Sequence, residues 1–194
     1  MPVTANTSVG NDDDDLNLNR LFHKSFKNLD QVLSFVAKSC VGLVYTCFLP
    51  ACIIWTTQTN NGMEWFFCLL AVVFAGDIGA YLFGVKFGKT KLAPALSPNK
   101  SLEGSLGGLL FSTCAAIAFQ FVLPNTPIYV LIFCGFVGGF LGQIGDFFES
   151  LIKRVSGVKD SGTIMPGHGG ILDRLDGVLL ASPLFYLAAT YFSL

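Results

Sequence analysis

Charge is what this sequence has little of. Asp, Glu, Lys and Arg make up 13% of its 194 residues, about half the ~25% of a soluble globular domain. A water-soluble fold of this size needs more charge than that to cover its surface, so an ordinary soluble domain is excluded. The net charge of -1 provides no basic field to hold a polyanion, which argues against nucleic acid as a partner. The six cysteines (Cys40, Cys47, Cys52, Cys68, Cys114 and Cys134) contain no CxxC pair and all lie in apolar runs. They read as small packing residues rather than a disulfide or metal framework. No signal-peptide-like apolar core stands near the start of the chain. That stretch carries the run Asp12-Asp13-Asp14-Asp15, expected to be a solvated tail. The start is abrupt, and the expectation is that part of an amino-terminal membrane region could be absent.

What fills the sequence instead is apolar: 52% of the residues belong to the AVILMFWYC set. A bilayer core about 30 Å thick is crossed by a helix of ~20 mostly apolar residues. Five segments meet or approach that length, at 34–57, 63–85, 106–123, 128–149 and 175–193. The expected fold is all-α, a polytopic membrane helical bundle in contact with the lipid bilayer. Residues 1–33 are expected to form a polar tail and 34–194 a membrane-embedded domain. The connections 58–62 and 124–127 are short and uncharged, whereas 86–105 and 150–174 are long and polar. With five spans, all 12 Lys and Arg residues fall toward one side, in the tail, the two long connections and, for Lys38, the first turns of the first span. Positive charge marks the cytoplasmic face, so the tail and both charged loops are expected there. The membrane is either a bacterial inner membrane or an organellar one.

Two carboxylates interrupt the spans. Asp77 lies in the middle of the second, and Asp146 near the end of the fourth. A carboxylate within the bilayer costs about 2.5–3.5 kcal/mol on insertion scales, and is by default a candidate for function. Glycines crowd both spans, at 76, 79 and 84 and again at 135, 138, 139, 142 and 145. Most of them read as small residues that let membrane helices approach closely. The run Gly84 to Thr90 has a Gly-Lys-Thr ending, but Phe83 stands where a phosphate-binding P-loop needs its first glycine. It also follows a membrane span rather than a strand.

Charge concentrates in the fourth connection and the start of the fifth span, which carry Ser150, Lys153-Arg154, Lys159-Asp160, His168-Gly169-Gly170, Asp173-Arg174 and Asp176. Lys and Arg supply charge-assisted contacts to phosphate. Aspartates supply hard oxygen ligands for Mg²⁺, which is held by one or two carboxylates together with substrate phosphates. Gly169-Gly170 permits a close backbone approach. These parts suit phosphoryl or nucleotidyl transfer, in which catalysis is mainly positioning and charge neutralisation.

The spaced run from Ser150 to Asp176 resembles the signature of the phosphatidate cytidylyltransferase (CDP-diacylglycerol synthase) family, with Met165 a conservative departure. Two other stretches resemble the same family. One is the Gly76-Asp77 segment through Gly84 and Phe87-Gly88-Lys89. The other is the loop Ser97-Pro98-Asn99-Lys100-Ser101-Leu102-Glu103-Gly104. The resemblance covers roughly residues 63–194, while the first span matches only in hydropathy. It implies a membrane enzyme that transfers CMP from CTP to phosphatidic acid with Mg²⁺, and it is compatible with a homodimer. In that reading Asp146 and Asp173 hold the metal. Lys153, Arg154, Lys159 and Arg174 hold phosphates, and His168 orients or polarises one. Asp160 and Asp176 orient the cations or stand behind the metal. Ser97, Lys100 and Glu103 close the site from the second connection, Ser150, Gly169 and Gly170 line the substrate, and Asp77 pairs with a base or completes the metal site. Three other readings stay open on the sequence. They are a CTP-dependent polyprenol or phytol kinase or ether-lipid cytidylyltransferase, a membrane transporter with Asp77 and Asp146 in its pathway, and an inactive fragment that only assembles with a partner.

Overall fold

The computed structural model describes residues 29–93, 97–155, 157 and 172–192. Among these, five helical stretches are long and apolar enough to cross a membrane: Leu29–Thr57, Gly62–Phe87, Leu102–Phe121, Ile128–Val155 and Leu175–Phe192. Each overlaps a segment expected from hydropathy. The chain divides into two compact units, Met1–Val44 and Tyr45–Leu194. In the first, helix α1 (Leu29–Leu43) buries none of its residues. Its Leu29, Leu33, Phe35 and Leu43 are all exposed, a surface suited to lipid rather than to water.

A π-helical turn, Val44–Phe48, leads into α2 (Leu49–Thr57). Proline explains the change of pitch: Pro50 has no N–H to give the carbonyl four residues back, and its ring crowds that carbonyl. A short turn ending at Asn61, whose φ is 53°, opens α3 (Gly62–Phe87). Asparagine is one of the few residues that tolerate this left-handed geometry. A hairpin follows, with β1 (Lys91–Ala93) antiparallel to β2 (Ser97–Ser101) and Lys91 opposite Ser101. Helix α4 (Leu102–Ala118) then starts four residues earlier than hydropathy placed it. The reason is its cap: the Ser101 side chain accepts a hydrogen bond from the Gly104 N–H at 3.2 Å, which satisfies one of the free donors of the first turn.

Helix α5 (Ile128–Val155) outruns its apolar segment by more than a turn. Lys153 and Arg154 in its last turn complement the negative end of the helix dipole, and Lys153 pairs with Glu149 one turn back at 3.3 Å. The final helix, α6 (Leu172–Phe192), contains Pro183. That proline cannot donate to the Leu179 carbonyl. The Ser182 hydroxyl lies 2.8 Å from that oxygen and 2.9 Å from the Leu49 carbonyl of α2, so its single O–H is shared between the carbonyl that Pro183 leaves free and the neighbouring helix.

The core of the second unit sits between α3, α5 and α6. Trp65, Leu69, Val72, Leu131, Val178 and Phe185 are all fully buried there, with the Trp65 and Phe185 rings edge-on at 6.4 Å. Polar groups gather at the other end, where α3 and α5 finish and α4 and α6 begin. The helices approach closely at that end. A Cβ on Gly145 would lie 2.5 Å from the Asp176 carbonyl oxygen and 2.8 Å from the Gly177 Cα. Only glycine lets α5 and α6 meet at this distance.

Candidate active site

On α5 the residues Gln143, Asp146, Ser150 and Lys153 recur at three- and four-residue spacing, which places them on one helical face. Glu149 joins that face three residues after Asp146. Two adjoining cavities open along it. The first, of 360 Å³, is lined by Asp77 and Tyr81 from α3, Lys100 from β2, Ser105 from α4, and Gln143 and Asp146 from α5. The second, of 300 Å³, is lined by Asp77, Lys100, Asp146, Glu149, Ser150 and Asp176. Asp77, Lys100 and Asp146 belong to both, so four helices and the hairpin converge on three side chains.

Lys100 is the joint. Its Nζ lies 3.0 Å from Asp146 Oδ2 and 4.2 Å from the centre of the Phe147 ring, so it is held by an ion pair and by a ring face. Below one third exposed on both sides, the pair is screened less than a surface bridge. Glu149 and Asp176 are buried, at 4% and 7% exposure. Glu149 takes Lys153 as its partner, and Asp176 Oδ1 accepts the Gly177 N–H at 2.8 Å. A buried carboxylate is tolerated only with such partners.

The scaffold around these charges is polar and paired. Gln143 Nε2 donates to the Ser105 carbonyl at 3.0 Å, and the Ser105 hydroxyl bonds the Gln143 side-chain oxygen, so α4 and α5 are cross-linked beside Lys100. Glu103 accepts from the backbone N–H groups of Lys89 and Thr90 at 3.2 Å. It therefore fastens the start of α4 to the end of α3 and fixes the base of the hairpin that carries Lys100.

Of the residues singled out from sequence, Asp77, Lys100, Asp146, Ser150 and Asp176 come together. Lys153 stands next to them through Glu149, and Arg154 follows it in the same turn. Ser97 lies in β2, opposite Ala93, and Asp173 and Arg174 fall in the first turn of α6. Lys159, Asp160, His168, Gly169 and Gly170 lie outside the described residues. Glu149, Gln143, Ser105 and Tyr81 were not among the sequence candidates. The signal for the first two was their three-residue spacing from Asp146.

Donor chemistry allows a test for magnesium. The second cavity offers only carboxylate and hydroxyl oxygens beside one lysine, the hard donors that Mg²⁺ takes. Among the described residues no three His, Cys, Asp or Glu side chains form a group that holds an ion unaided. The donors thus fit a Mg²⁺ bound by one or two carboxylates and completed by phosphate oxygens and water.

These features define a class: an integral membrane protein whose helices gather carboxylates and cations around a polar cavity at one end of the bundle. Residues 16–192 match the cytidylyltransferase family, and the chain belongs to that family. It is 46% identical to a phosphatidate cytidylyltransferase of Bacillus subtilis (strain 168) over 134 residues, covering 68% of this chain and 49% of that protein. It is 38% identical to a protein of the same name from Staphylococcus haemolyticus (strain JCSC1435) over 160 residues, covering 82% of this chain and 59% of the relative. The Staphylococcus aureus (strain COL) protein of that name gives the same identity and coverage. The chain thus spans between about half and three fifths of the length of these curated relatives.

Proposed function

We propose that this chain forms the catalytic part of an enzyme that transfers CMP from CTP to phosphatidic acid, giving CDP-diacylglycerol and pyrophosphate at the cytoplasmic face of a membrane. The observation that carries the reading is the convergence of Asp77, Lys100 and Asp146 on two adjoining cavities, with Glu149 and Asp176 beside them. Family membership and the names of the relatives point the same way. So does the sequence pattern, in which Lys and Arg cluster in the tail and the two long connections, the arrangement expected of cytoplasmic segments.

In the reaction, an oxygen of the lipid phosphate attacks the α-phosphorus of CTP. A new P–O bond forms, the bond from that phosphorus to the bridging oxygen of the β-phosphate breaks, and pyrophosphate departs with the electron pair. The attacking phosphate is already anionic near neutral pH, so general-base work is small. The difficulty is bringing two polyanions together. Lys100, Lys153 and Arg154, with Lys159 and Arg174 of the charged connection, hold phosphate oxygens and offset that repulsion. His168 orients or polarises one phosphate. Asp146 and Asp173 would hold Mg²⁺, which when bound neutralises charge on the phosphates and favours departure of pyrophosphate. Asp77 and Asp176 keep the cations in place. The hairpin, anchored through Glu103, delivers Lys100 to the junction of the two cavities.

The test is transfer of label from CTP into a chloroform-extractable product by the purified chain in detergent–phosphatidic acid micelles. Label in the lipid phase is expected, and it should vanish when Mg²⁺ or phosphatidic acid is left out. Folded protein that leaves all label in the aqueous phase with every component present would reject the proposal for this chain.

A further inference from the structure

Tyr45 is 5% exposed, and its hydroxyl has no hydrogen-bond partner among the described residues. A buried phenol ordinarily finds one. The residue stands in the π-helical turn Val44–Phe48, and such turns are rare and recur at functional sites. Its ring packs 5.5 Å from that of Phe148, between Asp146 and Glu149 in the sequence of α5. Asp146, Glu149 and Asp176 are all within electrostatic range of the hydroxyl. On one side, therefore, Tyr45 borders the carboxylates of the candidate active site.

On the other side it lines a groove of 450 Å³ with Pro50, Ile53 and Ile54 of α2 and Leu175 and Leu179 of α6. Apart from Tyr45 and Thr46 that lining is apolar, and it lies within two of the membrane spans. Ile54 is 57% exposed, so the groove opens toward lipid. Leu175 immediately precedes Asp176, so one wall runs from the bilayer to the polar site. A nucleotide or a free ion gains nothing from such walls. A hydrocarbon chain does.

We propose that this groove seats an acyl chain of the lipid substrate, and that the Tyr45 hydroxyl donates a hydrogen bond to the ester carbonyl at the head of that chain. The inference rests on the lipid-substrate reading given under Proposed function. Three nearby carboxylates make the surroundings of the hydroxyl unfavourable for the anionic phosphate. The neutral ester carbonyl, an acceptor only, suits them. It also stands in a lipid where Tyr45 stands in the protein, between a charged head and an apolar chain.

The experiment is equilibrium binding, read by native mass spectrometry on the purified chain in detergent. The probes are dioleoyl phosphatidic acid and its di-ether analogue, which lacks both ester carbonyls. The unaltered chain is expected to bind the ester lipid roughly three- to tenfold more tightly, the worth of one ordinary hydrogen bond. Tyr45→Phe should lose that preference and bind the ether lipid as before. Ile54→Trp, at an exposed position that tolerates bulk, should weaken both lipids by filling the groove. A Tyr45→Phe chain that keeps the ester preference, or an Ile54→Trp chain that binds both lipids undiminished, would overturn the proposal. Neither reading depends on turnover. A chain that binds lipid through Tyr45 but moves no label from CTP refutes the reaction and supports the groove, and active protein indifferent to both substitutions refutes the groove alone.

Discussion

Lys100 Nζ lies 3.0 Å from Asp146 Oδ2, an ion pair that spans 46 residues of sequence and joins the hairpin to α5. The pair places a positive charge where the two cavities meet, and orients the Asp146 carboxylate. If Lys100 also receives a substrate phosphate, its removal costs a charge-assisted hydrogen bond of about 1.5–3 kcal/mol. Lys100→Met is then expected to lower kcat/KM for CTP by about ten- to a hundredfold, at about 1.4 kcal/mol per factor of ten. Lys100→Arg should recover part of the loss. Steady-state kinetics over a range of CTP concentrations checks this, and a Lys100→Met enzyme within twofold of the unaltered one would remove Lys100 from the site.

The carboxylates are expected to behave differently from the lysine. Asp146→Ala and Asp173→Ala should each abolish label transfer while the protein still inserts and purifies as before. Chelation of divalent cations by EDTA should abolish transfer in the unaltered chain, and excess Mg²⁺ should restore it. Glu149→Gln is predicted to damage stability more than Asp146→Ala does, because Glu149 is the more deeply buried of the two carboxylates and the change removes its ion pair with Lys153. Thermal unfolding beside the label assay separates the two effects. Near-normal turnover in either aspartate variant would reject the metal assignment.

Much of this architecture was legible because the bilayer simplifies the code. Apolar length alone located five spans, and the energetic penalty on intramembrane charge singled out Asp77 and Asp146. What escaped were relationships that hydropathy does not encode. Nothing local announces that Lys100 reaches Asp146, since the contact is made by tertiary packing. The hairpin was read as loop because its strands are three and five residues long and one contains Pro98, which is unfavourable in a strand. The early start of α4 was readable in principle from Ser101 as its cap. Glu149 was passed over because it stands beside Ser150 and the Lys153-Arg154 pair, where apolar character ends. Its helical spacing from Asp146 was the stronger signal.

Close approach of α5 and α6 is what brings Asp176 to the Asp146 face, and Gly145 permits it. A methyl there would meet backbone rather than a movable side chain. Gly145→Ala is therefore expected to destabilise the protein by about 1–3 kcal/mol and to lower activity with it. Gly42→Ala is the control. A Cβ at Gly42 meets nothing within 4 Å, so that substitution should be neutral or stabilise its helix by up to about 1 kcal/mol. Unfolding temperatures of the two variants in the same detergent decide the matter, and equal temperatures would show that the α5–α6 contact gives way without cost.

Tyr45 leads to a prediction of the opposite sign for stability. A buried hydroxyl with no partner is a cost to the fold, about 1–3 kcal/mol for a group of this kind, and residues kept at such a cost are often kept for function. Tyr45→Phe removes only the hydroxyl oxygen and leaves the ring against Phe148. In lipid-free detergent the variant is expected to unfold at the same temperature as the unaltered chain or higher. With ester-linked phosphatidic acid added, the unaltered chain should gain more from the ligand than the variant does, because a ligand stabilises in proportion to its affinity for the folded state. The order of the two unfolding temperatures then draws together or reverses on titration with the lipid. A variant that is less stable without lipid, by the same margin as with it, would mean that the hydroxyl serves the fold and has no part in holding substrate.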